Sequence, residues 1–206
     1  MRVSVTDLEA FRRLQSEDWM TDAKFQAQLA REPFERTDKA ALGQSLHAAI
    51  EAFVLSGGRL RITDSPFMDE VLASVVTDGA LEVKSEKSFE VAGETVTVVG
   101  RADHLVDLGI VDHKFIWRQF DHDDYANSMQ WRWYCVLFGA RWVRYDVRVL
   151  SLTQEHGLRI TDHQEPTFSA YPRMLRDCLD HLALFVGYIH ERGLGDLVAD
   201  RKGARS

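Results

Sequence analysis

The chain has 206 residues, 45% of them hydrophobic and 28% charged, which suffices for one well-buried domain over residues 1–195 followed by a polar, frayed tail at 196–206. No apolar run approaches the length of a membrane span and Met1-Arg-Val-Ser-Val-Thr-Asp7 lacks the order of a signal peptide, so a cytoplasmic protein off the membrane is expected. The formal charge of −7 weighs only lightly against a nucleic-acid partner, because bound cations would neutralise some acids, and Arg12, Arg13, Arg101, Arg118, Arg132, Arg141, Arg144 and Arg148 could line a local basic groove.

Ser4 is placed to cap a first helix whose Leu8, Phe11 and Leu14 share one buried stripe. Residues 16–37 read as a polar connection containing Pro33. Residues 40–56 read as a strong helix with Leu42, Leu46, Ile50, Phe53 and Val54 on its apolar side, stopped by Gly57-Gly58. A shorter helix over 69–76 leads into an antiparallel meander of strands at 83–91, 95–106 and 110–115, its first turn marked by Ala92-Gly93-Glu94. Glu82, Glu86 and Glu90 are taken as residues of the sheet surface. Asp121, Asp123 and Asp124 precede a helix over 125–138 closed by Gly139, and their charge suits that helix's N-terminal dipole better than a metal. In a last strand over 142–152, Val143, Tyr145, Val147 and Val149 alternate with Arg144, Asp146 and Arg148. A final helix opens at Tyr171-Pro172 and carries Leu175, Leu179, Leu182, Phe185, Val186 and Ile189 to Gly193. This order predicts an α/β fold, a central mixed sheet of the three-stranded antiparallel meander plus a further strand, flanked by helices. Cys135 and Cys178 each lie in an apolar helical pattern and read as buried free thiols.

The second hairpin of the meander carries chemistry. It reads Gly100-Arg-Ala-Asp-His-Leu-Val-Asp-Leu-Gly-Ile-Val-Asp-His-Lys114, with single acids set where half-buried strands should be apolar. Asp112 and Lys114 are two residues apart and share a strand face, while His113 points away. An even loop centred on Asp107 and Leu108 puts Asp103 opposite Asp112. Two carboxylates that close repel unless a proton or a cation lies between them, and a divalent metal that prefers oxygen ligands is the natural partner.

Four segments in this order resemble the RecB-like branch of the PD-(D/E)XK nucleases: Gly43-Gln-Ser-Leu-His47 on a helix, Gly100-Arg-Ala-Asp103 on a strand, Val111-Asp112-His113-Lys114 on the next, and Gln130-Trp-Arg-Trp-Tyr134 on the following helix. The resemblance runs from about Ser4 to Ile189 and implies a restriction-endonuclease-like core that hydrolyses DNA with Mg²⁺ or Mn²⁺. Carried over residue by residue, it makes Asp103 and Asp112 metal ligands together with the main-chain carbonyl of His113 and the imidazole of His47, and gives Lys114 the part of orienting water or stabilising the transition state. On the helix, Gly43 would let it approach the sheet and Glu51 would accept the second imidazole proton of His47. Gln130 and Tyr134 would face substrate or orient Lys114, Arg118 and Arg132 would grip phosphates, and Trp117 and Trp131 could stack on bases, with Trp133 expected in the core. Lys114-Phe115-Ile116 departs from the Lys-Thr-Gly of many relatives, and two cysteines cannot supply the quartet that holds an iron–sulfur cluster in some of them, so no such cluster is expected. The implied activity is exonucleolytic digestion of DNA ends in recombination, repair or phage DNA metabolism, alone, as a homo-oligomer or with a recombination partner. A structure- or sequence-specific endonuclease and an inactive DNA-binding subunit are the rivals.

Overall fold

A computed structural model describes residues 1–33, 37–59, 65–155 and 157–199. Its elements in chain order are β1 (Arg2–Ser4), α1 (Val5–Ser16), α2 (Asp22–Leu29), α3 (Asp38–Leu55), α4 (Pro66–Leu72), β2 (Ala80–Val91), β3 (Glu94–Val106) and β4 (Gly109–Ile116), followed by α5 (His122–Asn127), α6 (Met129–Phe138), β5 (Trp142–Thr153), β6 (Gly157–Gln164), β7 (Thr167–Ser169), α7 (Met174–Glu191) and α8 (Gly195–Val198). The strands form one mixed sheet flanked by helices, as the sequence predicts. β2, β3 and β4 are the antiparallel meander; β5 joins β4 in parallel, a direction that needs the crossover supplied by α5 and α6.

The two faces of the sheet bury separate apolar clusters. On one, Leu8 and Phe11 of α1, Phe25 of α2, Trp133 and Leu137 of α6 and Leu182, Phe185, Val186 and Ile189 of α7 pack on Val96, Val98, Ile110, Val143 and Val147. On the other, Leu46, Ile50 and Val54 of α3 meet Val71 and Leu72 of α4 and Leu150 of β5. The helical stripes read at the sequence level are therefore real, and each has found a sheet face. Among the described residues no helix is long and apolar enough to cross a membrane.

Several expectations need correction. The supposed polar connection contains α2, capped by Thr21 and holding Phe25 and Leu29 in the core. α3 starts earlier than expected, capped by Thr37, and α4 occupies 66–72 rather than 69–76, with Ser65 as its cap and proline in its first turn. The helix expected over 125–138 is two helices broken at Ser128, whose φ −58°, ψ 136° is not helical. Glu9 on α1 causes the break's geometry to hold: its Oε2 accepts from both Ser128 Oγ, at 2.9 Å, and Met129 N, at 2.7 Å. The strand at 142–153 is followed by β6 and β7 on the same sheet, and β1 adds a short parallel strand at the N-terminus. The start of the expected frayed tail is α8, whose Val198 is fully buried; the rest of that tail, 200–206, lies outside the described residues.

Candidate functional site

β3 carries β2 along one edge. Its other edge is shared: β1 pairs with residues Thr97 to Val99 and β4 with residues His104 to Val106, so Gly100-Arg101-Ala102-Asp103 lies between the two ladders. The gap is filled from α6 and β4. Tyr134 donates its hydroxyl to the carbonyl of Arg101 at 2.9 Å, and the main-chain N–H of His113 donates to Asp103 Oδ2 at 3.2 Å. A side-chain carboxylate has taken the place of a ladder carbonyl, which satisfies the His113 amide and fixes Asp103 against β4. On the β2 side the register also skips the position opposite Asp103, where Glu82 adopts φ +52°. α6 can come this close because Gly100 has no side chain: a Cβ there would sit 2.8 Å from Leu137. Gly43 has no such role, since a Cβ on it would meet nothing within 4 Å.

The β3–β4 pairs His104 with Val111, Leu105 with Ile110 and Val106 with Gly109 are those of a two-residue turn at Asp107-Leu108, with Asp107 at φ +50°. Continued by one residue, this register sets Asp103 against Asp112, as expected. Both acids line one open cavity of 1040 Å³ with His47, Lys114, Gln130 and Tyr134. Asp112 is 1% exposed; its Oδ2 lies 2.5 Å from Lys114 Nζ and its Oδ1 accepts from Gln130 Nε2 at 3.3 Å. Gln130 Nε2 also reaches Tyr134 OH at 2.8 Å, so the carboxamide links Asp112 to the tyrosine that braces β3. His47 Nδ1 stands 3.7 Å from Asp103 Oδ2, its ring edge-on to Phe115.

The electrostatics are strained in one direction. Burial pushes the Asp112 carboxyl above the usual range and neighbouring Asp103 adds to it, against the opposing pull of Lys114. Burial also raises Asp103, with Lys114 and His113 opposing. For Lys114 burial works to lower the pKa, yet Asp112 and Asp103 outweigh it and the ammonium is held. Partial burial lowers His47 to about 4, which leaves a neutral imidazole with a free lone pair at neutral pH. Two carboxylates that resist ionisation beside one ammonium are short of positive charge, and the donor set of two carboxylates and a neutral imidazole fits an oxygen-preferring divalent cation. His47, Asp103 and Asp112 are nonetheless spread wider than the one trio among the described residues whose ligand atoms lie within 4.8 Å of one another, which is Asp146, His163 and Glu165.

That trio belongs to the opposite side of β4. His113 Nδ1 is 2.6 Å from Asp146 Oδ2, as is Arg148 Nη1, and His163 Nε2 is 2.7 Å from Asp146 Oδ1. Arg148, 1% exposed, also donates to the carbonyl of Val71 and to Ser74 Oγ, tying α4 to the sheet. Although burial opposes it, hydrogen bonds from His113 and His163 and the charge of Arg148 bring Asp146 down to about 2.

Other expected site residues lie elsewhere. Arg132 donates to the carbonyl of Ser128 at 2.6 Å and to Tyr171 OH, and stacks on Trp131, which is buried against Phe168. Arg118 pairs with Asp124 at 2.6 Å, and Arg12 joins the same carboxylate. Asp121 caps α5 as expected, its Oδ1 accepting from Asp123 N. Trp133 is core, and Trp117 packs beside the α3–α4 cluster with Lys39 over its ring. Glu51 is exposed on the cavity wall and no hydrogen bond joins it to His47. The residue missed is Glu82, which lines the cavity and pairs with Arg101 at 2.8 Å. Its positive φ inside a strand leaves no trace in the residue pattern. Cys135 and Cys178 are buried free thiols, pushed up by burial to about 11 and about 12.

The sequence matches no protein-family model and no curated protein. Among solved structures, the crystal structure of SSO0001 aligns with a TM-score of 0.50 at 17% identity, covering 98% of this chain and 87% of that one. The alkaline exonuclease LHK-Exo from Laribacter hongkongensis aligns with a TM-score of 0.47 at 11% identity, over 93% of this chain and 89% of that one, and its complex with dAMP gives the same score and identity. At 17% identity the likeness to SSO0001 is one of fold alone.

Proposed function

We propose that the protein is a metal-dependent deoxyribonuclease, one nuclease domain over residues 1–195, that hydrolyses phosphodiester bonds at DNA ends. The observation that carries this reading is the pair Asp103 and Asp112, both raised in pKa, in one cavity with Lys114, Gln130 and His47. Asp103, Asp112, His47 and the main-chain carbonyl of His113 would hold Mg²⁺ or Mn²⁺. Bound there, such a cation would supply charge neutralisation at a scissile phosphate and a lowered pKa for the attacking water. Lys114, kept protonated by the two acids, supplies a fixed positive charge beside Asp112 where negative charge grows on the phosphate oxygens. Gln130 holds Asp112 Oδ1 and Tyr134 OH, so the carboxylate keeps its direction while substrate enters. Glu82 and Arg101 stand on the same wall, where substrate would pass.

End digestion is favoured over sequence-specific cutting because none of the base-reading motifs of DNA-binding proteins is present in the chain, which leaves the shape of a strand end to be selected. The test is incubation of linear and covalently closed DNA with Mg²⁺, with Mn²⁺ and with chelator. Loss of the linear form alone, only with metal, is expected. Discrete cuts in closed circles would promote the endonuclease, and cleavage in excess chelator would refute the metal mechanism.

A further inference from the structure

A second cavity, of 920 Å³, opens on the other side of Lys114 and Gln130, which line both. Its far wall is α1, α2 and the turn between them. Buried Met20 anchors that turn, Thr21 caps α2, and Lys24 Nζ donates to the carbonyl of Trp19 at 2.8 Å. The Trp19 indole is thereby held in place although 51% of the residue is exposed. Its Nε1 bonds the Glu17 carboxylate, and Lys24 Nζ and the Arg13 guanidinium stand 5.6 Å and 6.0 Å from the ring centroid. Arg13, Lys24, Arg31 and Lys114 outnumber Glu9 and Glu32 among the charged residues of the cleft, in a chain whose formal charge is −7. Of these four cations, Arg13 pairs with Glu9 at 3.2 Å, Arg31 with Asp7 at 2.9 Å and Lys114 with Asp112 at 2.5 Å, while Lys24 is bonded to a carbonyl, so it is the cleft's excess of cations over its own carboxylates that stands beside the candidate site.

We infer that the α1–α2 cleft is a single-strand subsite of the proposed nuclease: a nucleotide next to the scissile phosphate lays its base on Trp19 while Arg13 and Lys24 sit on its phosphates. The inference rests on the nuclease reading for its substrate and on the cleft itself for its residues. A fixed, half-exposed indole flanked by cations is the combination that binds single strands without reading sequence. An internal base of a duplex is stacked on both faces and cannot lie on an indole, so the occupant is a strand end, and a frayed or single-stranded one presents its bases most readily. Lys114 and Gln130, shared by both linings, make the cleft adjoin the cavity that holds the acids.

The experiment measures binding of a labelled oligothymidylate in excess chelator, where no cleavage is required. Trp19→Ala weakens binding about 5- to 150-fold, and Trp19→Phe keeps most of it. The double change Arg13→Gln with Lys24→Gln lowers the slope of log affinity against log salt by about 0.7 for each phosphate that is no longer neutralised. A blunt duplex competes less well than the single strand. Binding unchanged in Trp19→Ala, an equal loss in Trp19→Phe, or better competition by an acidic peptide than by the oligonucleotide overturns the subsite. The two readings fail separately: DNA bound through Trp19 but never cut defeats the nuclease, whereas linear DNA cut by Trp19→Ala with unchanged KM defeats the subsite.

Discussion

Strand β4 presents two buried charged clusters on its two sides, and they are built on opposite principles. Behind the strand, Asp146 has a partner for each oxygen in His113, Arg148 and His163, and its carboxyl falls to about 2. Toward the cavity, Asp112 and Asp103 share one ammonium and both rise. In the first arrangement both Asp146 oxygens are partnered, and α4, β4, β5 and β6 are tied together by it. The second is short of positive charge and open to the cavity. Geometric closeness of donors alone would pick the first as a metal centre, whereas the balance of charge picks the second, because a carboxylate already held by a guanidinium and two imidazoles has little to offer a further cation.

The largest expected effect is on chemistry. Asp112→Asn or Asp103→Asn should lower turnover on linear DNA by about a thousandfold or more, since each removes a charge on which cation and transition state both depend. In chelator the same variants should be as stable as the parent or more so, because a repulsive pair has been relieved. Melting in the absence of metal checks the second half, and a clear destabilisation would mean that the acids are structural.

On the other side of β4 the effect should fall on folding. Asp146→Asn leaves Arg148 buried without its counter-ion and should cost about 3–5 kcal/mol by urea unfolding, while folded molecules still cleave. The pH dependence separates the two sides as well. Asp146, lowered to about 2, contributes about 2 kcal/mol that is present above the ordinary carboxylate range near 4 and disappears as pH falls through 2. Asp103 and Asp112, raised, have the opposite sign: their contribution is present below that range and disappears as pH rises through their folded-state values. In chelator, the parent should therefore lose stability relative to Asp112→Asn as pH rises from 4 toward neutrality. A difference independent of pH would contradict the assignment.

Smallest is the expected effect at Arg132. Its bonds to Ser128 and Tyr171 imply a loss of about 1 kcal/mol on Arg132→Ala, with DNA affinity unchanged. Weaker DNA binding at equal stability would return this arginine to the substrate path.

Much of the site was legible in the residue string because a hairpin register depends on its turn alone. Asp107-Leu108 sets the pairing, and Asp103 against Asp112 follows without knowledge of the rest of the fold. The helices α1, α3 and α7 were legible because their apolar stripes have helical period. What could not be read depends on partners far apart in sequence. Ser128 breaks a continuous helical pattern because Glu9, on α1, takes its hydroxyl and the next amide. Arg132 looks free in the sequence and is spent on a carbonyl one turn back. β6 shows few apolar positions because it is an edge strand, with Leu158 and Ile160 only partly covered. Glu82 was hidden by a backbone φ that no residue type announces.

Binding of Mn²⁺, followed as the rise in melting temperature with metal concentration, compares the two sides most directly in the parent, Asp112→Asn and His163→Ala. A concentration-dependent rise is expected in the parent and in His163→Ala, and none in Asp112→Asn. A rise that survives Asp112→Asn and vanishes in His163→Ala would place the metal at Asp146, His163 and Glu165 and contradict its assignment to Asp103 and Asp112.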